Sequence, residues 1–183
     1  MAVTDEALRA ELLAMERADR ATRAALVERG ELHGGGYHPE MAAVHRRHNA
    51  RMTEIVASVG WPGRSLVGDD GCRAAGFIIQ HAILDPALQR RSLPLLEAAV
   101  ATDEAFPPML AFLTDRVLME RGRPQRYGTQ HIGGPDGTLI PWPISDPETV
   151  DARRKALGLD PLAARTAELQ RQVDGEQRAR TGG

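Results

Sequence analysis

The sequence predicts a mainly α fold: an irregular helical bundle of about seven helices with one short β-hairpin or extended segment near residues 127–142. Three observations carry this. Apolar residues recur at three- and four-residue spacing along most of the chain. Helical patterns open at Pro39, Pro86, Pro107 and Pro161 and close at Gly60, Gly122 and Gly158, the asymmetry of helix starts and stops. No repeat of fixed period is present, which favours a compact bundle over a solenoid.

The first helix spans 4–29, capped by Thr4 or Asp5, with Leu8, Leu12, Met15, Thr22 and Leu26 on one stripe. Gly34-Gly35-Gly36 then reads as a flexible joint, because no strand precedes it as in a phosphate loop. The second helix runs from Pro39 to Val59, with Met41, Val44, His48, Met52, Ile55 and Val59 inward. Gly60 ends it and Trp61-Pro62-Gly63 turns the chain. A third helix starts after Asp69-Asp70, whose charges suit a helix N-terminus, and stops near Asp85-Pro86. A fourth follows from Pro86 to Thr102, with Pro94 expected to kink or split it. The fifth, 107–121, is apolar on nearly every side, the mark of a central helix. Beyond Gly122 the pattern changes. Residues 127–132 and 138–142 suit a hairpin, with Pro141 and Pro143 confining the second strand to an edge. A sixth helix, 146–157, ends at Gly158, and a seventh begins at Pro161.

At 183 residues the chain fits a single helical domain over 1–174, with 175–183 as a disordered tail. A net charge of −2 leaves no excess of positive charge for nucleic acid or a membrane surface. Lys155 is the sole lysine among many arginines, which reads as the codon bias of a GC-rich genome. The lone Cys72 rules out an intrachain disulfide and a cysteine-rich metal site. No apolar run reaches bilayer length, and the N-terminus lacks a basic and an apolar region, so a cytoplasmic location is expected.

Functional groups concentrate in apolar surroundings, where an unpaired polar group costs roughly several kcal/mol. His81 lies on the inner stripe of the third helix, where a neighbouring carboxylate makes an imidazole an acid or base near neutral pH. Asp115 is the carboxylate expected beside it. Arg116 faces another way on the same helix and offers a planar fork to an anion. Gln125, Tyr127, Thr129 and Gln130 crowd donors and acceptors around Gly128, and Gln80 precedes His81. The competing account makes these groups one structural network with every member paired internally. His45 and His48, three apart, share a helix face and would need a third ligand such as His81 to hold a metal. Cys72 near a helix start would have a lowered pKa, but no nucleophile signature surrounds it. Ser65 does not sit in a nucleophile elbow, and Trp61 and Trp142 read as packing anchors.

Several segments resemble an uncharacterised bacterial family known only as a domain of unknown function. They are Gly60-Trp61-Pro62 with Val67-Gly68, Gln80-His81-Ala82 with Asp85-Pro86 and Gln89, and Leu113-Thr114-Asp115-Arg116-Val117 with Gly122. The series continues with Gln125-x-Tyr127-Gly128-Thr129-Gln130, Pro143-Ile144-x-Asp146-Pro147, Val150-Asp151-x-Arg153-Arg154 and Gly158-Leu159, so the resemblance covers residues 38–165. It implies a mostly helical fold and places Gln80, His81, Asp115, Arg116, Gln125, Tyr127, Thr129 and Gln130 in motifs. An acidic residue is more usual in that family where this chain has His45, and another where it has Ile83, so the chain departs from the pattern there.

The leading expectation is a small metal-independent enzyme without a cofactor, acting by hydrolysis, elimination or cyclisation on a polar or anionic small molecule. His81, Asp115 and Tyr127 would carry the acid–base chemistry, and Gln80, Arg116, Gln125, Thr129 and Gln130 would bind substrate. The alternatives are a non-catalytic binding or interaction domain built on a structural polar network, and a metal-dependent hydrolase using His45, His48 and His81. Oligomeric state is not legible in the sequence.

Overall fold

Local chemistry sets most helix ends in the computed structural model, which describes residues 3–31, 37–134 and 137–181, with side chains to 178. The Gly34-Gly35-Gly36 joint and the Pro135-Asp136 turn lie outside the described residues. Helix α1 (Glu6–Glu28) is capped by Asp5, whose carboxylate accepts from the Leu8 amide at 2.8 Å. Helix α2 (Pro39–Val59) begins at the expected proline and ends at Gly60. Helix α4 (Pro86–Ala101) is capped by Asp85, which accepts from the Leu88 amide at 2.9 Å, and Pro94 lies within it without splitting it.

Helix α3 (Arg64–Gln80) starts earlier than the acidic pair implies. Its first turn is joined to the rest through Gly68, whose φ of 73° is open to glycine at little cost. The longer segment restarts at the expected place, where Asp70 accepts from the Gly71 amide at 2.8 Å. Arg9 clamps the same carboxylate from α1 through both its oxygens, at 2.8 and 2.7 Å. Helix α5 (Pro107–Glu120) buries Ala111, Leu113, Asp115 and Val117. Met109, Leu110, Phe112, Leu118 and Met119 are only half-buried, so α5 is less central than its composition predicts.

The chain packs as two compact units, 1–110 and 111–183. In the first, α1 packs on α2 and α3, and α2 and α3 pack on α4. Leu12, Leu26, Met52, Val67, Ile79 and Leu88 are fully buried there, each worth about 1.5–3 kcal/mol of transfer free energy. In the second, strands β1 (His131–Gly133) and β2 (Leu139–Pro141) pair antiparallel with Ile132 opposite Ile140. A 3-10 turn (Pro147–Thr149) leads into α6 (Val150–Ala156), and α7 (Leu162–Thr181) packs on β2 and α6. Gln170 on α7 accepts from the Leu139 amide at 2.6 Å, and His131 Nε2 meets Thr166 Oγ1 at 2.9 Å, tying the hairpin to the helix. The hairpin is shorter than predicted because Arg126, Tyr127 and Thr129 give their amides to Asp115, while Gln125 and Gln130 keep backbone bonds to the 142–145 segment. Helix α7 continues through Gly175 to Thr181, where a disordered tail is expected. No described helix is long and apolar enough to cross a membrane.

Candidate active site

The carboxylate beside His81 is Asp19, not Asp115. Asp19 stands on the apolar stripe of α1, one turn beyond Met15, and is 1% exposed. His45, on the inner face of α2, places Nε2 at 2.6 Å from Asp19 Oδ2. His81 is the residue at which α3 ends, and its Nδ1 lies 3.2 and 3.3 Å from the two Asp19 oxygens. One buried carboxylate is thus shared by two imidazoles from two other elements. Burial alone would raise the Asp19 carboxyl, but hydrogen bonds from His45 and then His81, with their charge, hold it well below the usual carboxylate range.

The His81 side chain is 31% exposed, and among the described residues nothing bonds its Nε2. On the far side of His45, Nδ1 meets the phenol oxygen of Tyr37, which is 40% exposed. Phe77 packs on the His81 ring at 4.0 Å between centroids, and the Arg20 guanidinium lies 4.3 Å from the centre of the Phe77 ring. A cation therefore stands one aromatic ring away from the exposed imidazole. His48, one turn from His45, is buried; its Nδ1 has no hydrogen-bond partner among the described residues, and burial pushes its pKa down.

The end of α3 is fixed by a second device. Gln89, 1% exposed, donates from Nε2 to the carbonyls of Ile79 at 3.1 Å and Gln80 at 2.9 Å. Those carbonyls belong to the last turn of α3, where the helix no longer continues; Ile79 also accepts from the Ala82 amide at 3.1 Å. The Gln80-His81…Asp85-Pro86…Gln89 spacing is therefore a helix end, a capped helix start and a glutamine bridging the two. Gln80 contributes its backbone to that bridge. A groove of about 690 Å³ lined by Arg9, Arg64, Asp69, Asp70 and Asp103 shares no residue with the histidine cluster, and these side chains pair with one another.

In the second unit the predicted site residues have a different use. Asp115 is fully buried, and its Oδ1 accepts from the amides of Arg126 at 2.7 Å and Tyr127 at 3.0 Å. Its Oδ2 accepts from the Thr129 amide at 2.9 Å and the Thr129 hydroxyl at 3.0 Å. Burial pushes the Asp115 carboxyl up, opposed by these donors. Gln125 is equally buried. Its Nε2 donates to the carbonyls of Gln130 and Trp142, and its Oε1 accepts from the Gln130 amide. Gln130 Nε2 in turn donates to Thr129 Oγ1 at 2.9 Å. Arg154, 2% exposed, donates to the carbonyls of Asp160 and Tyr127, each at 2.6 Å. These groups pin the 125–130 loop, and Gly128, at φ 68°, lets it pass under Leu162.

Asp115 thus leaves the catalytic set, and Gln125, Thr129 and Gln130 the substrate-binding set, because the loop engages their polar groups. Tyr127 gives its amide to Asp115, and its half-buried ring has the Arg126 guanidinium 5.7 Å from its centre. Arg116 is half-buried on α5 in the second unit, whereas His81 belongs to the first. Cys72 is fully buried on α3, and burial pushes its thiol up instead of down. Asp19 and Tyr37 are members of this cluster that the sequence reading misses. For Asp19 the signal was present: positions 8, 12, 15, 19, 22 and 26 form one uninterrupted helical stripe, with a carboxylate inside it. For Tyr37, outside any helix, no pattern points to the site.

A family model covers residues 6–174, and the chain belongs to that family, a family of unknown function designated DUF6624. No curated protein and no solved structure matches the chain.

Proposed function

We propose that this chain is a small cytoplasmic acid–base enzyme of hydrolytic type, acting on a polar, anionic small molecule at the Asp19–His45–His81 cluster. The observation that carries the reading is a 1%-exposed carboxylate that holds one nitrogen of an imidazole whose side chain is 31% exposed. Asp19 fixes His81 with its proton on Nδ1, which leaves the Nε2 lone pair to take a proton from water or substrate. The same carboxylate stabilises the imidazolium formed in that step. His45 and Tyr37 provide a second path: the phenol, linked through His45 to Asp19, returns a proton to the leaving group. Arg20, on the Phe77 ring and paired with Glu16 at 2.6 Å, is the cation that would take over the anion recognition first expected of Arg116, exchanging that carboxylate for the substrate's.

The Asp115–Gln125 network has the opposite character, with each carboxylate and amide oxygen engaged by the adjoining loop, and we assign it to the fold. The test is a panel of chromogenic phosphate and carboxylate esters. His81→Gln is expected to remove turnover of whichever ester is cleaved, about a 10²–10⁴-fold loss for a missing acid–base group. Asp19→Asn is expected to lower kcat and move the pH profile while the protein stays folded. A His81→Gln protein with the wild-type rate and pH profile would end the proposal.

A further inference from the structure

The atoms that converge on Asp19 also have the spacing of a metal-ligand set. One oxygen of Asp19, Nε2 of His45 and Nδ1 of His81 all lie within 4.8 Å of one another. They come from α1, α2 and the end of α3, so three rigid elements fix them. We propose that Asp19, His45 and His81 together bind one divalent transition-metal ion of the zinc class.

The distances fit this use. Metal bonds of about 2.0–2.2 Å to nitrogen and oxygen put neighbouring ligand atoms roughly 3.0–3.4 Å apart in octahedral or tetrahedral geometry. The His81–Asp19 separations, 3.2 and 3.3 Å, already lie in that range. The His45–Asp19 separation of 2.6 Å has to open by a few tenths of an ångström. Two nitrogens and one carboxylate oxygen suit zinc, cobalt or iron(II) better than calcium or magnesium, which prefer oxygen alone.

The surroundings fit as well. With a metal bound, each neutral ring carries its proton on the other nitrogen. His45 Nδ1–H then donates to the Tyr37 oxygen already beside it, the outer hydrogen bond that metal-bound histidines usually make. The His81 side chain that carries Nε2–H is 31% exposed. Three protein ligands leave room for water or substrate, as catalytic zinc sites do. A second group with suitable atoms, Glu31, His38 and Glu40, differs in kind: both its acids are exposed and paired with Arg29.

The inference rests on the reading of this cluster as the working site and alters its chemistry: a His81 that gives Nδ1 to a metal carries its proton on Nε2, so water held by the metal, not His81, would be the base. The test uses the full chain without a histidine tag, stripped of metal by a chelator. Cobalt(II) is titrated in and its visible d–d absorption recorded, then zinc is used to displace it. One saturable site per chain is expected, with the melting temperature raised by zinc. Asp19→Asn, His45→Gln and His81→Gln should each weaken binding at least about tenfold, and Glu31→Gln and Glu40→Gln should leave it unchanged. Should Asp19→Asn fail to fold, His81→Gln on the exposed edge carries the test. Absence of a saturable cobalt signal, or binding lost in Glu40→Gln and kept in His81→Gln, overturns the site. A metal-free chain whose ester turnover disappears in His81→Gln overturns the metal and leaves the acid–base reading standing. Saturable binding with turnover indifferent to His81→Gln keeps the metal site and removes that reading.

Discussion

Asp115→Asn isolates the role of a single buried carboxylate in the second unit. Its two oxygens receive three backbone amides and one hydroxyl, with distances from 2.7 to 3.1 Å. An asparagine can keep its carbonyl toward Arg126 and Tyr127. Its amide nitrogen can then donate to the Thr129 hydroxyl, but it opposes the Thr129 amide, so one buried donor is orphaned. An orphaned buried N–H costs about 1–3 kcal/mol, and the lost charge-assisted bonds bring the expected loss to roughly 2–3 kcal/mol. Alanine removes all the acceptors and orphans three amides, roughly 3–9 kcal/mol. A unit of 73 residues, 111–183, has about 4–11 kcal/mol of stability in total, so Asp115→Ala should not hold its 125–130 loop. The assay is urea unfolding read by tryptophan fluorescence. Trp142 belongs to the second unit, with its Nε1 on the Arg123 carbonyl at 3.0 Å, and Trp61 belongs to the first. In a Trp61→Phe background, Asp115→Asn should lower the midpoint reported by Trp142 without changing the slope. A midpoint shift equivalent to less than about 0.5 kcal/mol would refute the assignment of Asp115 to the fold, since ordinary surface changes stay within that range.

Three further outcomes follow from the same geometry. Gly128→Ala should destabilise the second unit by about 2–4 kcal/mol in thermal unfolding: its φ is 68°, and a Cβ there would meet Leu162 at 2.7 Å. Gln89→Ala should cost the first unit about 1–3 kcal/mol by freeing the Gln80 carbonyl and leaving Ile79 with the Ala82 amide alone, measured by Trp61 fluorescence in a Trp142→Phe background. Stability should fall with acid in two windows, followed by unfolding midpoint against pH. Burial holds His48 and His131 below the ordinary 6.5, so the unfolded chain binds their protons first. Their contribution is complete above pH 6.5 and is lost as pH falls from there to the folded values. Asp19, held low, contributes above its unfolded value of about 3.9, and that contribution is lost as pH falls through its folded value. His48→Asn should flatten the upper window and leave the lower one in place.

What the amino-acid sequence determined by itself was local. Asp5, Pro39, Asp85 and Gly60 set helix ends because a cap involves only neighbours along the chain. The apolar stripes identified core positions such as Leu12, Met52 and Ile55, because burial follows helical period. The change of pattern after Gly122 announced the hairpin. Which polar groups meet was decided by tertiary structure. His81 takes a carboxylate 62 positions away in sequence, and His45 takes the same one from 26 positions away. Asp115, the acid in the more conspicuous motif, is engaged by the loop that follows its own helix. A buried charge is stabilised by whichever donors packing brings within hydrogen-bond reach. Helical period records which face is inward, but it does not record what stands opposite that face.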